Sequence, residues 1–148
     1  MSLNFWIGKT IDTVQRSILL LRPPVIWSRF PRGHVAECDL ARFTGQRPML
    51  TIFDVGANIG QSVDAFKKTW PHASIHSFEP SPSIFAQLNK HCNKLDGVTA
   101  WNLGIGSRQV KLPFLENTNS DMSSFLAPST LAWGKIRKTT DVELVTLD

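Results

Sequence analysis

A chain of 148 residues, 42% hydrophobic and 19% charged, is long enough for one domain with a modest core and too apolar to be disordered. Its net charge of +4 lies in residues 1–47, which hold seven Lys/Arg and three Asp/Glu, whereas residues 48–148 hold nine of each. A neutral body argues against a nucleic-acid groove there, and two cysteines, Cys38 and Cys92, argue against a disulfide framework and for a reduced, cytoplasmic setting.

From Met1 to about Leu21, apolar residues recur at helical spacing: Leu3, Ile7, Ile11, Val14, Ile18 and Leu21. This predicts a helix that packs on the domain or a partner, with a membrane-surface helix as the other reading. The longest apolar run in it, Ile18 to Leu21, is four residues, so no transmembrane segment is expected. It lacks the basic start and small-residue cleavage site of a secretory signal. Arg22-Pro23-Pro24 ends the helix. Residues 25–47 read as an irregular approach segment with a short helix at Ala36 to Phe43. The chain thus divides into a leader, 1–47, and a body, 48–148.

The body begins with Leu50 to Val55, a nearly all-apolar run predicted as a strand buried on both faces. A helix follows at Ser62 to Trp70, with Val63, Phe66 and Trp70 inward, and Pro71 stops it. Ser74 to Phe78 is the second strand. Ser81 is the expected N-cap and Pro82 the first residue of the next helix, whose inner face carries Ile84, Phe85, Leu88 and Cys92. Val98 to Asn102 is the third strand. Strands alternating with helices predict βαβ units and a parallel sheet. The rhythm then changes. Gln109 to Leu115 reads as a strand, Asn117 to Ser124 as a polar loop, and Trp133 to Thr140 as a basic connection. Val142 to Thr146 alternates as a strand and is expected to pair antiparallel with Gln109–Leu115.

Between the first strand and its helix lies Asp54-Val55-Gly56-Ala57-Asn58-Ile59-Gly60-Gln61. Strand-to-helix turns present backbone N–H groups to ligands. Glycine adopts positive φ freely, and Asn tolerates it better than most residues. The dinucleotide fingerprint G-x-G-x-x-G would need glycine at Asn58 and Gln61, so a nicotinamide or flavin dinucleotide is disfavoured. No P-loop string occurs. Glu79 ends the second strand, 19 residues beyond Gly60, where nucleotide-binding folds place a carboxylate on ribose hydroxyls. Read alone, it is more readily a solvated strand-end charge or a charge at a helix N-terminus favoured by the dipole. The histidines, His34, His72, His76 and His91, are scattered, and no metal-ligand spacing appears.

The acidic strand end followed by G-x-x-x-G resembles the loop of class I S-adenosylmethionine (SAM) methyltransferases. The full string Asp54–Gln61 resembles their FkbM family. Phe78-Glu79-Pro80-Ser81 is similar to the family's second motif. Asn102-Leu103-Gly104-Ile105-Gly106-Ser107 is similar to its third, although the family more often has Ala where Gly104 stands. The Ser-containing stretch 117–124 also resembles the family. The resemblance covers roughly residues 36–148 and only the first half of the family's domain.

It implies an incomplete Rossmann-like α/β fold, with the first three parallel strands plus an antiparallel ribbon, and SAM as cofactor. Asp54, Gly56, Ala57, Asn58 and Gly60 would face the methionine end of SAM, Glu79 the ribose, and Asn102 and Leu103 the adenine. The acceptor would be a small molecule or glycan, O-methylated on a sugar or secondary-metabolite hydroxyl. Acceptor-side groups are expected beyond residue 148, and no general base is assigned. Because an incomplete sheet leaves an apolar edge, a partner chain covering that edge is expected. A catalytically inactive fragment, or an interaction module derived from a methyltransferase, is the alternative.

Overall fold

The computed structural model describes residues 36–44, 47, 50–129 and 133–148. The expected helix at Met1–Leu21, its Pro-Pro stop and the Cys38 side chain lie outside the described residues. One compact unit takes the helix α1 (Ala36–Phe43) and Ala65–Pro71. The other takes 50–64, 72–129 and 133–148, and it carries the motifs.

In the motif-bearing unit, β1 (Thr51–Val55), β2 (Ser74–Phe78) and β3 (Val98–Trp101) form a parallel sheet in the order β1-β2-β3. Thr51 pairs with Ser74, Val55 with Phe78, and Phe78 with Trp101. Helix α2 (Gln61–Thr69) follows β1, and α3 (Pro82–Cys92) joins β2 to β3. The ladder continues past the strand ends. Gly56 N and Ala57 N donate to Phe78 O, and Glu79 N donates to Trp101 O. Val63, Ile75 and Leu88 are wholly buried, and Cys92 is nearly so. Burying each of the three aliphatic side chains stabilises the fold by about 1.5–3 kcal/mol.

The expected cap is present: the Ser81 hydroxyl accepts from Ile84 N, and Pro82 occupies the first turn of α3. The expectation that β1 is buried on both faces does not hold. Ile52 and Asp54 point inward, while Phe53 and Val55 on the other face remain 52% and 55% exposed. A largely apolar run does not reveal which of its faces is covered.

A second sheet has the order β4-β6-β5, from β4 (Gly104–Ile105), β5 (Val110–Asn117) and β6 (Ile136–Val145). The expected antiparallel pairing joins β5 and β6, with Leu112 opposite Val142. It runs further than the sequence pattern suggests. Residues 136–140, expected as a connection, are strand, and Glu116 pairs with Lys138. This half of β6 is exposed apart from a half-buried Thr140, so no hydrophobic alternation marks it. Edge strand β5 accommodates Pro113, which has no N–H to offer a ladder. β4 pairs parallel with β6 through Gly104 and Leu144. A Cβ on Gly104 would lie 2.9 Å from the Phe125 ring and 3.2 Å from Leu144 Cγ, so glycine lets β4 sit close against both side chains. After β5 the chain makes a 3-10 turn at Ser120–Met122. Among the described residues, no helix is long and apolar enough to cross a membrane.

Candidate functional site

The loop between β1 and α2 is built from left-handed residues. Gly56 has φ +80°, Asn58 +50° and Gly60 +101°. It closes through Gly60 N donating to Ala57 O at 2.9 Å. A Cβ on Gly56 would meet nothing within 4 Å among the described residues, which leave open space beside the backbone there. Gly60 is the reverse case. A Cβ there would lie 2.8 Å from the His91 ring of α3, so the loop's far end is packed against that helix. His91 Nε2 also sits 2.9 Å from Asp64 Oδ1 of α2.

Glu79 ties this loop to the end of β2. Its Oε2 accepts from Asn58 N at 3.0 Å and its Oε1 accepts from Ser81 N at 2.8 Å. A carboxylate can accept about four hydrogen bonds, so acceptor capacity remains for a ligand's O–H groups. Burial pushes the Glu79 carboxyl above the ordinary Glu range. The two backbone bonds oppose that shift, and the charge of Glu116 adds to it.

Asn102 joins the same cluster by a different route. Its Nδ2 donates to Glu79 O at 2.8 Å and to Pro80 O at 3.0 Å, fixing the backbone that carries Glu79. Leu103 follows as a half-buried apolar residue just before β4. Ala57 is buried within the loop. Asp54 belongs to a separate cluster, accepting from Ser62 Oγ at 2.7 Å and Ser77 Oγ at 3.4 Å. Burial raises its carboxyl, and the two serine bonds only partly offset this.

Asn58 has a second set of partners. Its Nδ2 donates to Asp121 Oδ1 at 2.7 Å and Ser120 Oγ at 3.1 Å, both on the 3-10 turn of the second sheet. Because a carboxylate only accepts, this bond fixes which end of the amide is nitrogen. Asn58 Oδ1 is left buried with no hydrogen-bond partner among the described residues. An unmet buried acceptor costs about 1–3 kcal/mol, so this atom marks a place where the loop carries a cost.

Residues 54–148 match the family profile described as "Methyltransferase FkbM domain". This chain belongs to the FkbM methyltransferase family. Two methyltransferases resemble it over shorter stretches. "Methyltransferase 1" of Beauveria bassiana is 35% identical over 63 residues, 41% of this chain and 25% of that protein. "Methyltransferase sdnD" of Sordaria araneosa is 35% identical over 80 residues, 52% of this chain and 31% of that protein. The matched stretch therefore spans a third or less of each of these relatives.

The FkbM motif residues account for the loop, Glu79 and Asn102, but several partners escaped sequence reasoning. Ser62 and Ser77 orient Asp54, and a hydroxyl in helical or strand context carries no local sign of that role. Glu116 is the larger omission. It is 3% exposed and lies on β5, yet it accepts from Ser81 Oγ at 2.7 Å, Ser83 Oγ at 3.0 Å and Thr140 Oγ1 at 2.6 Å. Desolvation pushes its carboxyl up, but those three hydroxyls and the charge of Lys138 outweigh it, so the net displacement is downward. Ser81 thereby links the two sheets, donating its N–H to Glu79 and its O–H to Glu116.

Proposed function

We propose that this chain carries the cofactor-binding half of a SAM-dependent methyltransferase that O-methylates a sugar or secondary-metabolite hydroxyl. The observation that carries the reading is the join between the left-handed Gly loop and Glu79, made through the Asn58 amide. It sets open backbone at Gly56, an acceptor-rich carboxylate and an orphaned buried oxygen within one small cluster. SAM offers matching donors, an ammonium and two ribose hydroxyls, so the residues present fit it. The residues that would hold it are Asp54, Gly56, Ala57, Asn58, Gly60, Glu79, Asn102 and Leu103.

When bound, SAM supplies an electrophilic methyl group on a sulfonium centre. The chain's own part is to bind and orient, and alignment of the reacting atoms accounts for much of the rate in such transfers. Glu79, ionised, would accept hydroxyl donors through its remaining lone pairs. Asn102 holds the Glu79 backbone in place, and Asp54 is held by Ser62 and Ser77 at the mouth of the loop. Methylating a hydroxyl also needs a base to take its proton, a role we assign to no residue of this chain. A reduced cytoplasmic setting is part of the same proposal.

Calorimetry with S-adenosylhomocysteine (SAH) tests the reading. The 148-residue chain is expected to bind SAH, and Gly56→Val and Glu79→Ala are each expected to weaken binding while the fold persists. Unchanged affinity in both variants would remove the assignment. Absence of binding by the wild-type chain would favour an interaction module of methyltransferase descent.

A further inference from the structure

The two sheets meet at Asn58, and the contact does more than join them. Asp121 stands 63 residues from Asn58 in sequence, yet its carboxylate takes the shorter of the two hydrogen bonds from the Asn58 amide. The turn that carries Asp121 is itself held on β5. Leu115 and Ser124 exchange backbone bonds at 2.9 and 3.1 Å, Asn117 N donates to Ser123 Oγ, and Asn119 N donates to Asn117 Oδ1. Asp121 is therefore a fixed acceptor and not the tip of a free loop. Its side chain is exposed, so replacing it opens no core.

We propose that Asp121 is a positioning residue for the cofactor loop, holding the Asn58 amide so that the loop keeps its left-handed turn. The inference rests on the SAM reading of the site. Its physical basis is pre-organisation: a ligand that finds the loop already ordered does not have to order it on binding. With Asp121 gone, the amide can rotate and Oδ1 can find other donors. Asn58 N would then leave Glu79 more often, loosening the carboxylate as well as the loop. A hydrogen bond to a carboxylate is about twice as strong as a neutral one, so Asp121 outweighs Ser120 in this pairing.

The test is SAH calorimetry on the wild-type chain, Asp121→Ala, Asp121→Asn, Asn58→Gly and the Asn58→Gly/Asp121→Ala pair. Gly is chosen at position 58 because it keeps the positive φ and removes only the amide. Asp121→Ala is expected to weaken SAH about tenfold, the scale of one charge-assisted hydrogen bond. Asp121→Asn, whose carbonyl oxygen can accept the same bond, is expected to stay within about threefold of wild type. Asp121→Ala should add nothing on the Asn58→Gly background. In the ligand-free chain, Asp121→Ala should speed hydrogen exchange at Asn58 N–H without shifting the global melting temperature. Wild-type affinity in Asp121→Ala, additive losses in the double variant, or equal losses in Asp121→Ala and Asp121→Asn would each overturn the proposal. A wild-type chain that binds no SAH would instead overturn the cofactor reading, and the exchange measurement would still decide whether Asp121 holds the loop.

Discussion

Glu79 accepts the backbone N–H of Asn58 at 3.0 Å across 21 residues of sequence. That bond makes the protonation state of one buried carboxylate a property of the whole loop. Burial raises the Glu79 carboxyl above 4.5, so protonation sets in at a higher pH than for an ordinary Glu. A protonated carboxyl gives up acceptor capacity that the ribose hydroxyls need. SAH affinity is therefore expected to fall as pH drops through the raised Glu79 value, beginning above 4.5. In Glu79→Ala that acid-side fall should vanish from a weaker baseline. Calorimetric titration at several pH values checks this.

The glycines at the two ends of the loop should fail differently. At Gly56, any side chain meets a φ of +80° but open space. Gly56→Val is expected to cost about 1–2 kcal/mol of stability and to act mainly on ligand affinity. At Gly60, a new Cβ also strikes the His91 ring at 2.8 Å and Leu88 Cδ1 at 3.3 Å. Gly60→Ala is expected to cost about 2–4 kcal/mol. Denaturant unfolding should show the larger loss at Gly60, despite the smaller residue introduced.

Glu116 should behave as a structural carboxylate. Removing it strands three hydroxyls, with Ser81 almost completely buried. Glu116→Ala is expected to lose about 2–3 kcal/mol, or roughly 5–10 °C in melting temperature. Its carboxyl is lowered on folding, so its stabilisation is present above 4.5 and is lost as pH falls through the folded value. The wild-type advantage over Glu116→Ala should accordingly shrink in acid.

Asp54 should show the opposite sign. Its carboxyl is raised on folding, so between 3.8 and the folded value the native state holds more protons than the unfolded one. Wild-type stability from this group declines as pH rises through that window. Asp54→Asn removes the dependence, so the variant should gain on wild type as pH increases from below 3.8, measured by urea unfolding.

Much of the site could be read from residues close together in the chain. Asp54, the two loop glycines and Glu79 form a strand–loop–helix–strand pattern whose spacing carries its own logic. The Ser81 cap was equally local. The contacts that hold the site in place were not. Asn58 meets Ser120 and Asp121 at separations of 62 and 63 residues, and Glu116 meets Ser81 at 35. A single carboxylate in a strand or a Ser-rich loop has no periodicity to announce a distant partner. The first half of β6 was hidden for a related reason, since Arg137, Lys138 and Thr139 are all exposed. The largely apolar β1 misled in the other direction, because its composition does not show that Phe53 and Val55 stay half exposed.

The most direct test of the central claim is an amide ¹⁵N–¹H spectrum of the 148-residue chain titrated with SAH. The largest shifts are expected on Gly56 to Gly60, Glu79 and Asn102, with smaller ones at Ser120 and Asp121. A spectrum that does not change, or shifts that gather away from the Gly loop and Glu79, would contradict it.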